Sequence, residues 1–173
     1  MKLKLFLILS ILLFGRLSSQ SKAELIDVEN INKYSEIINK DSRIVEHQFE
    51  VKSKSKIVKY KYSKKGNEIV KMSREWNQDN GNYIDTYTDY FLLKNGERVY
   101  ADQSIVFNDR SNKEIMGGWS CTFWIHKNKV IHMTSLGHGK TEMDDWDYEK
   151  ELKENFNYML KIVREKDKTI KQK

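Results

Sequence analysis

Along most of this chain, apolar and polar residues alternate with a period of two. The period becomes helical only near the two ends. Glu24 to Lys40 carries Leu25, Val28, Ile31, Tyr34 and Ile38 at spacings of three and four, which marks one face of an amphipathic helix. Lys40-Asp41-Ser42 ends it. From Arg43, Val45, His47, Phe49 and Val51 alternate with Ile44, Glu46, Gln48 and Glu50. Strand-like segments follow over Ile57–Tyr62, Ile69–Trp76, Tyr83–Leu93, Arg98–Phe107, Gly118–His126 and Val130–Leu136. Turn-forming stretches separate them: Ser63-Lys64-Lys65-Gly66-Asn67, then Gln78 to Asn82, Lys94 to Glu97, Asn108 to Lys113, and Lys127-Asn128-Lys129. Two of these contain Asn-Gly, a hairpin signal because both residues accept positive φ. The helical period resumes from about Asp147 to Lys168, with Leu152, Phe156, Met159, Leu160 and Val163 in one stripe. Acids (Asp144, Asp145, Asp147, Glu149) stand at its start and bases (Lys161, Arg164, Lys166, Lys168) at its end, an order that complements the helix dipole.

Short joins permit only antiparallel neighbours, because parallel strands need crossovers of about a dozen residues or more. The pattern therefore predicts an α+β fold. Its centre is an antiparallel meander of six to eight strands, forming a curved sheet or a partly open barrel. A short N-terminal helix precedes it, and a long C-terminal helix packs on it. An apolar sheet face must be covered, and the long helix is the natural cover. A cleft between helix and sheet is the expected binding place.

The first residues read differently. Lys2 and Lys4 precede the apolar run Leu5 to Phe14, and Ser18, Ser19, Ser21 and Ala23 follow it. That order is a secretory signal peptide, expected to span residues 1–21 and to send the chain to the periplasm or the exterior. The run falls short of the roughly 20 apolar residues of a spanning helix, so no membrane span is expected after cleavage. Residues 22–168 then form one domain, with a frayed tail at 169–173. The formal charge of +6 drops to +3 once Lys2, Lys4 and Arg16 leave. So mild a surplus does not argue for a nucleic-acid partner. Cys121 is the only cysteine, which excludes an internal disulfide. Its place in the apolar segment WSCTFWI reads as buried and inert.

The most suggestive stretch for chemistry is Ser135-Leu136-Gly137-His138-Gly139-Lys140-Thr141. It ends like a phosphate loop, but the motif needs a glycine where Thr134 stands; no nucleotide and no cofactor is expected. A structural account makes the glycines a hinge out of the last strand, with Thr141 or Asp144 capping the helix. A hydrolase or nuclease would use His138 as base with Glu142 or Asp144 orienting it. A metal site would draw on His126 and His132. A turn on Asn128-Lys129 would place those two on opposite sheet faces, whereas a three-residue turn would place them on one face. The aromatic strands supply a further signal. Tyr83, Tyr87 and Phe91 share one face, Tyr90 points to the other, and aromatics on both exceed what one core requires. Tyr87, Phe91, Trp119, Trp124 and His138 are therefore the expected ligand-binding residues, and the partner is an unknown small ligand or protein. A second candidate surface is the run Lys52, Lys54, Lys56, Lys59, Lys61, Lys64 and Lys65. It suits an edge strand protected by lysines or an anionic surface as partner.

Overall fold

Each period-two segment becomes a strand, and the turns between them fix the order. The computed structural model describes residues 22–53 and 56–171; the leader read at residues 1–21 and Lys54 lie outside them. Helix α1 (Lys22–Lys40) leads into β1 (Ile44–Lys52), β2 (Ile57–Lys65), β3 (Glu68–Asp79), β4 (Tyr83–Lys94), β5 (Glu97–Asp109), β6 (Ile115–His126) and β7 (Lys129–Gly137). A 3-10 turn (Lys140–Glu142) then leads to helix α2 (Tyr148–Lys171). The seven strands pair strictly in chain order, all antiparallel. The sheet stays open, with β1 and β7 as its edges.

Helix α2 covers one face. Leu152, Phe156, Met159, Leu160 and Val163 pack on Tyr60, Tyr62, Met72, Phe91, Leu93, Ala101, Cys121 and Phe123. Phe91 is fully buried and meets Phe156 edge-on, with ring centroids 5.5 Å apart. The helix crosses the strands. Tyr148 stacks on Phe123 of β6, and Asp167, near the other end, receives Lys64 of β2 at 2.8 Å. Helix α1 covers part of the opposite face, where Ile38 and Tyr34 pack with Val70, Leu92, Tyr90, Val99 and Tyr100. Aromatics on both faces thus follow from two helices rather than one.

Several boundaries differ from the sequence reading. β2 runs on through Ser63, Lys64 and Lys65, and α2 continues to Lys171. Asp147 is the residue that caps α2, accepting the Lys150 amide at 3.0 Å, in place of Thr141 or Asp144. The β6–β7 turn takes neither geometry weighed from sequence. Lys127 and Asn128 both have positive φ, 49° and 65°, so His126 pairs with Lys129. A register shift at Trp124/Ile125 then sets Trp124 opposite His132.

The lysine run does not form one stripe. It lies mostly on β2, which is an interior strand, so edge protection is not its role. Lys59 faces Glu50 on β1 and Glu75 on β3, with Glu75 at 3.8 Å. Lys65 pairs with Asp41, and Lys64 is buried against Asp167. Lys56 lies over the Trp76 ring at 5.2 Å. Among the described residues no helix is long and apolar enough to cross a membrane.

Two stability measurements test this packing. In urea denaturation, Leu152→Ala should cost about 2–5 kcal/mol, the usual range for emptying a filled core position, while exposed Leu136→Ala should stay within about 0.5 kcal/mol. Asp167→Asn should cost about 3–5 kcal/mol, because it leaves the Lys64 ammonium buried without its counter-charge.

Candidate functional site

Across the face under α2, the register lines residues up in rows. Met72, Phe91, Ala101 and Phe123 form an apolar row directly beneath the helix. The next row is polar: Arg74 opposite Asp89, and Asp89 opposite Gln103. The row beyond is largely aromatic: Trp76, Tyr87, Ile105 and Trp119. Between these two rows and the flank of α2 lies a cleft of about 320 Å³, closed by Glu151 and Asn155 of the helix and by Lys140 of the 3-10 turn.

The polar row is tightly bonded. Arg74 donates from Nε to Asp89 Oδ2 at 2.7 Å and from Nη2 to Asn155 Oδ1 at 2.8 Å. Its guanidinium lies 4.8 Å from the Trp76 ring centre. Trp76 in turn stacks on Tyr87, 5.1 Å apart and 8° from parallel. Gln103, only 3 % exposed, donates from Nε2 to Asp89 Oδ1 at 3.0 Å and to Glu151 Oε1 at 3.1 Å. Two carboxylates thus hold the amide in one orientation, since turning it over would aim Oε1 at both. The consequence is that Oε1 is buried with no hydrogen-bond partner among the described residues. Lys140 also pairs with Glu151 Oε1, and Trp146 donates to Glu151 Oε2 at 2.8 Å. Burial pushes the Glu151 carboxyl up, but the hydrogen bonds from Lys140 and Trp146, with the Lys140 charge and the Gln103 amide, bring it below its ordinary value.

The residues expected from sequence separate into groups. Tyr87 and Trp119 line the cleft, although Trp119 is 2 % exposed and sits beneath Gly139. Phe91 belongs to the core. Trp124 points to the other face, where its indole donates to Asn32 of α1 at 2.8 Å and its ring meets Tyr100 edge-on. His132 lies beside Trp124, and His126 faces Asp27 of α1 at 3.6 Å. The two histidines therefore share a face, yet among the described residues no three His, Cys, Asp or Glu side chains cluster as metal ligands would.

His138 does meet Glu142, Nδ1 to Oε1 at 2.5 Å, but the imidazole is 95 % exposed. The pair stands on the surface, outside the cleft, and Asp144 is exposed on the following turn. The flanking glycines have their own reasons. Gly137 has φ 83°, and a Cβ there would lie 2.1 Å from the Gly118 carbonyl oxygen. A Cβ on Gly139 would lie 2.4 Å from Trp119 Cγ. These glycines let the chain fold down over Trp119 and deliver Lys140 to Glu151. Thr141 accepts the Trp119 indole N–H at 3.1 Å. Cys121 is buried as expected, its thiol pushed up to about 11 by desolvation and by the charge of Asp102.

Sequence reasoning missed Arg74, Asp89, Gln103, Glu151 and Asn155. A signal existed: Asp85 and Asp89 are in phase with Tyr87 and Phe91, and a charge in phase with core aromatics marks a polar inclusion in an apolar face.

The Glu151 contacts give a pH signature. A carboxyl whose folded pKa is lowered contributes stability above its unfolded value, near 4.5, and that contribution fades as pH falls through the folded value. Wild type should therefore melt above Glu151→Gln at pH 6–7, and the difference between their thermal melts should shrink as pH falls below 4.5. No protein-family model, curated protein or solved structure matches this chain, so the cleft's geometry carries the functional reading.

Proposed function

We propose that this chain is an exported, non-enzymatic binding domain whose sheet–helix cleft takes a small, neutral, hydroxyl-rich ligand of the size of one sugar unit. The observation that carries the reading is Gln103 Oε1. A buried acceptor without a partner costs about 1–3 kcal/mol, and its amide cannot rotate away without facing two carboxylates. A ligand hydroxyl supplies the donor it lacks.

The charges favour a neutral guest. Arg74 is matched by Asp89, and Lys140 by Glu151. An ionic ligand would have to break one of these pairs. A polyol exchanges hydrogen bonds with both without displacing charge. Tyr87 and Trp76 add an aromatic wall, and apolar walls with a few fixed polar groups are the usual make-up of small-molecule sites. The cleft volume lies at the low end of the roughly 300–1,000 Å³ such sites span. The basic start, short apolar run and small-residue stretch of residues 1–21 support export.

Tryptophan fluorescence tests the proposal, because Trp76 and Trp119 border the cleft. Titration of the purified protein with glucose or N-acetylglucosamine should give a saturable change, and sodium sulfate should give none. Tyr87→Ala should weaken sugar binding at least ten-fold with an unchanged far-UV circular dichroism spectrum. No saturable response to either sugar, or a Tyr87→Ala variant that binds like wild type, overturns the reading.

A further inference from the structure

Helix α1 covers only part of its sheet face, and a second row of mixed chemistry stands beside it. Pairing lines up Ser73, Tyr90, Asp102, Thr122 and Thr134 across β3 to β7. On one side of this row lie Leu92, Tyr100, Trp124 and His132, where α1 docks and its Asn32 accepts the Trp124 indole N–H at 2.8 Å. On the other side the residues are small and hydroxylated: Thr88, Ser104 and Ser120. Asp102 thus has large aromatics to one side and short side chains to the other. It is half-buried, as are Tyr90, Tyr100 and Trp124, and the short side leaves its carboxylate open to approach.

The Asp102 carboxylate is held in place but not neutralised. Its Oδ1 accepts the Thr122 hydroxyl at 2.8 Å, and its Oδ2 accepts the Tyr100 hydroxyl at 3.1 Å. An ionised carboxylate has about four acceptor positions, so two stay open among the described residues. No cation among those residues stands against it. Lys71, the base that β3 presents on this face, is turned to Asn39 of α1 at 2.6 Å. Burial pushes the Asp102 carboxyl up, and the two hydroxyl bonds only partly offset that. Burial, with Asp102 among the neighbouring groups, pushes the Tyr90 and Tyr100 phenols up to about 12, so both are neutral at pH 7 and Asp102 carries the charge. An asparagine would keep both contacts, accepting from one hydroxyl and donating to the other, without the cost of placing a charge there. The rings beside it stand steeply to one another: Tyr100 meets Trp124 at 5.6 Å and 89°, and Tyr90 meets Tyr100 at 6.2 Å and 75°.

We propose that Asp102, with Tyr90, Tyr100 and Trp124, binds a small organic ammonium ion. Its N–H groups donate to the open acceptor positions of Asp102, and its carbons lie against the rings. A charge-assisted bond to a carboxylate is roughly twice as strong as a neutral one. An ammonium within about 6 Å of an aromatic ring centre is drawn to the π face as well. A neutral alcohol makes the hydrogen bond but brings no charge. An inorganic cation brings the charge but gains nothing from the hydrocarbon contact, and among the described residues no further ligands cluster to hold a metal. This site is on the sheet face opposite the sheet–helix cleft and does not depend on the reading given for it.

Isothermal titration calorimetry of the purified protein at pH 7 tests the proposal, with n-butylammonium chloride, n-butanol and potassium chloride as probes. Butylammonium should bind saturably, and butanol and potassium at least ten-fold more weakly. Asp102→Asn should weaken butylammonium binding at least ten-fold and melt no lower than wild type, because it removes a charge that the fold does not neutralise. Tyr90→Leu should weaken binding several-fold with an unchanged far-UV circular dichroism spectrum. The proposal is overturned if butylammonium does not bind wild type, or if butanol or potassium binds as tightly. It is equally overturned if Asp102→Asn binds like wild type, or if that variant melts below wild type, which would make the carboxylate a structural group.

Discussion

One helix has to close an apolar face longer than the helix is wide. Strands β3 to β6 are 12 or 13 residues long, about 40 Å at roughly 3.4 Å per residue. A helix with its side chains is about 10–12 Å across. Because α2 crosses the strands, from β6 to β2, it covers a band of the face and leaves the rest beside it. The apolar row of Met72, Phe91, Ala101 and Phe123 falls under the band. The next row lies under the edge of the helix, beyond its apolar stripe, where polar groups of sheet and helix can meet. Arg74, Asp89 and Gln103 fill it, and Glu151 and Asn155 on the near side of α2 complete their bonds. The cleft is therefore a consequence of the helix's width, and its polar lining is the form the boundary takes.

The second helix resolves the aromatic surplus. Tyr90, Tyr100 and Trp124 lie on the face that α1 partly covers, and Tyr34 of α1 donates to the Leu93 carbonyl at 2.8 Å. The Trp124–Asn32 bond ties the same helix to β6. Residues that resemble a ligand platform by composition are in part the docking surface of a short helix. The row beyond both helices keeps Tyr87 and Trp76 as its partly open aromatics.

The strands, their order and both helices were legible in the sequence because period and turn residues are local signals. Register was not. The Lys127-Asn128 turn and the shift at Trp124/Ile125 decide where His126 and His132 stand, and both depend on how β7 packs rather than on any residue type. The polar row was hidden for the same reason. Arg74, Asp89 and Gln103 sit 15 and 14 residues apart, and only the pairing of three strands brings them together. Read one strand at a time, only Asp89 is marked, by its phase with Tyr87 and Phe91, and nothing links it to Arg74 or Gln103. His138 is a different case. The sequence offers its glycine neighbours as a hinge or as a catalytic loop; they let the chain pass over Gly118 and Trp119, and the histidine between them meets Glu142 at the surface.

Arg74 and Arg98 show how the fold treats the same group in two places. The Arg74 side chain is 13 % exposed, bonds Asp89 and Asn155, and lies against Trp76. Each part of that guanidinium has something to do within the chain, so its burial needs no outside partner. Arg98 is at least as deeply placed, and the described residues give its Nη1 no acceptor. Had Arg98 served packing alone, an aliphatic side chain of similar length would fill the space without the desolvation cost, and replacing buried ionic groups with apolar ones is often stabilising. Arg98 instead stands beside Leu93 on the face that α2 covers, and Glu149 in the first turn of that helix supplies the favourable charge, so the fold meets one guanidinium by direct bonds and the other across space.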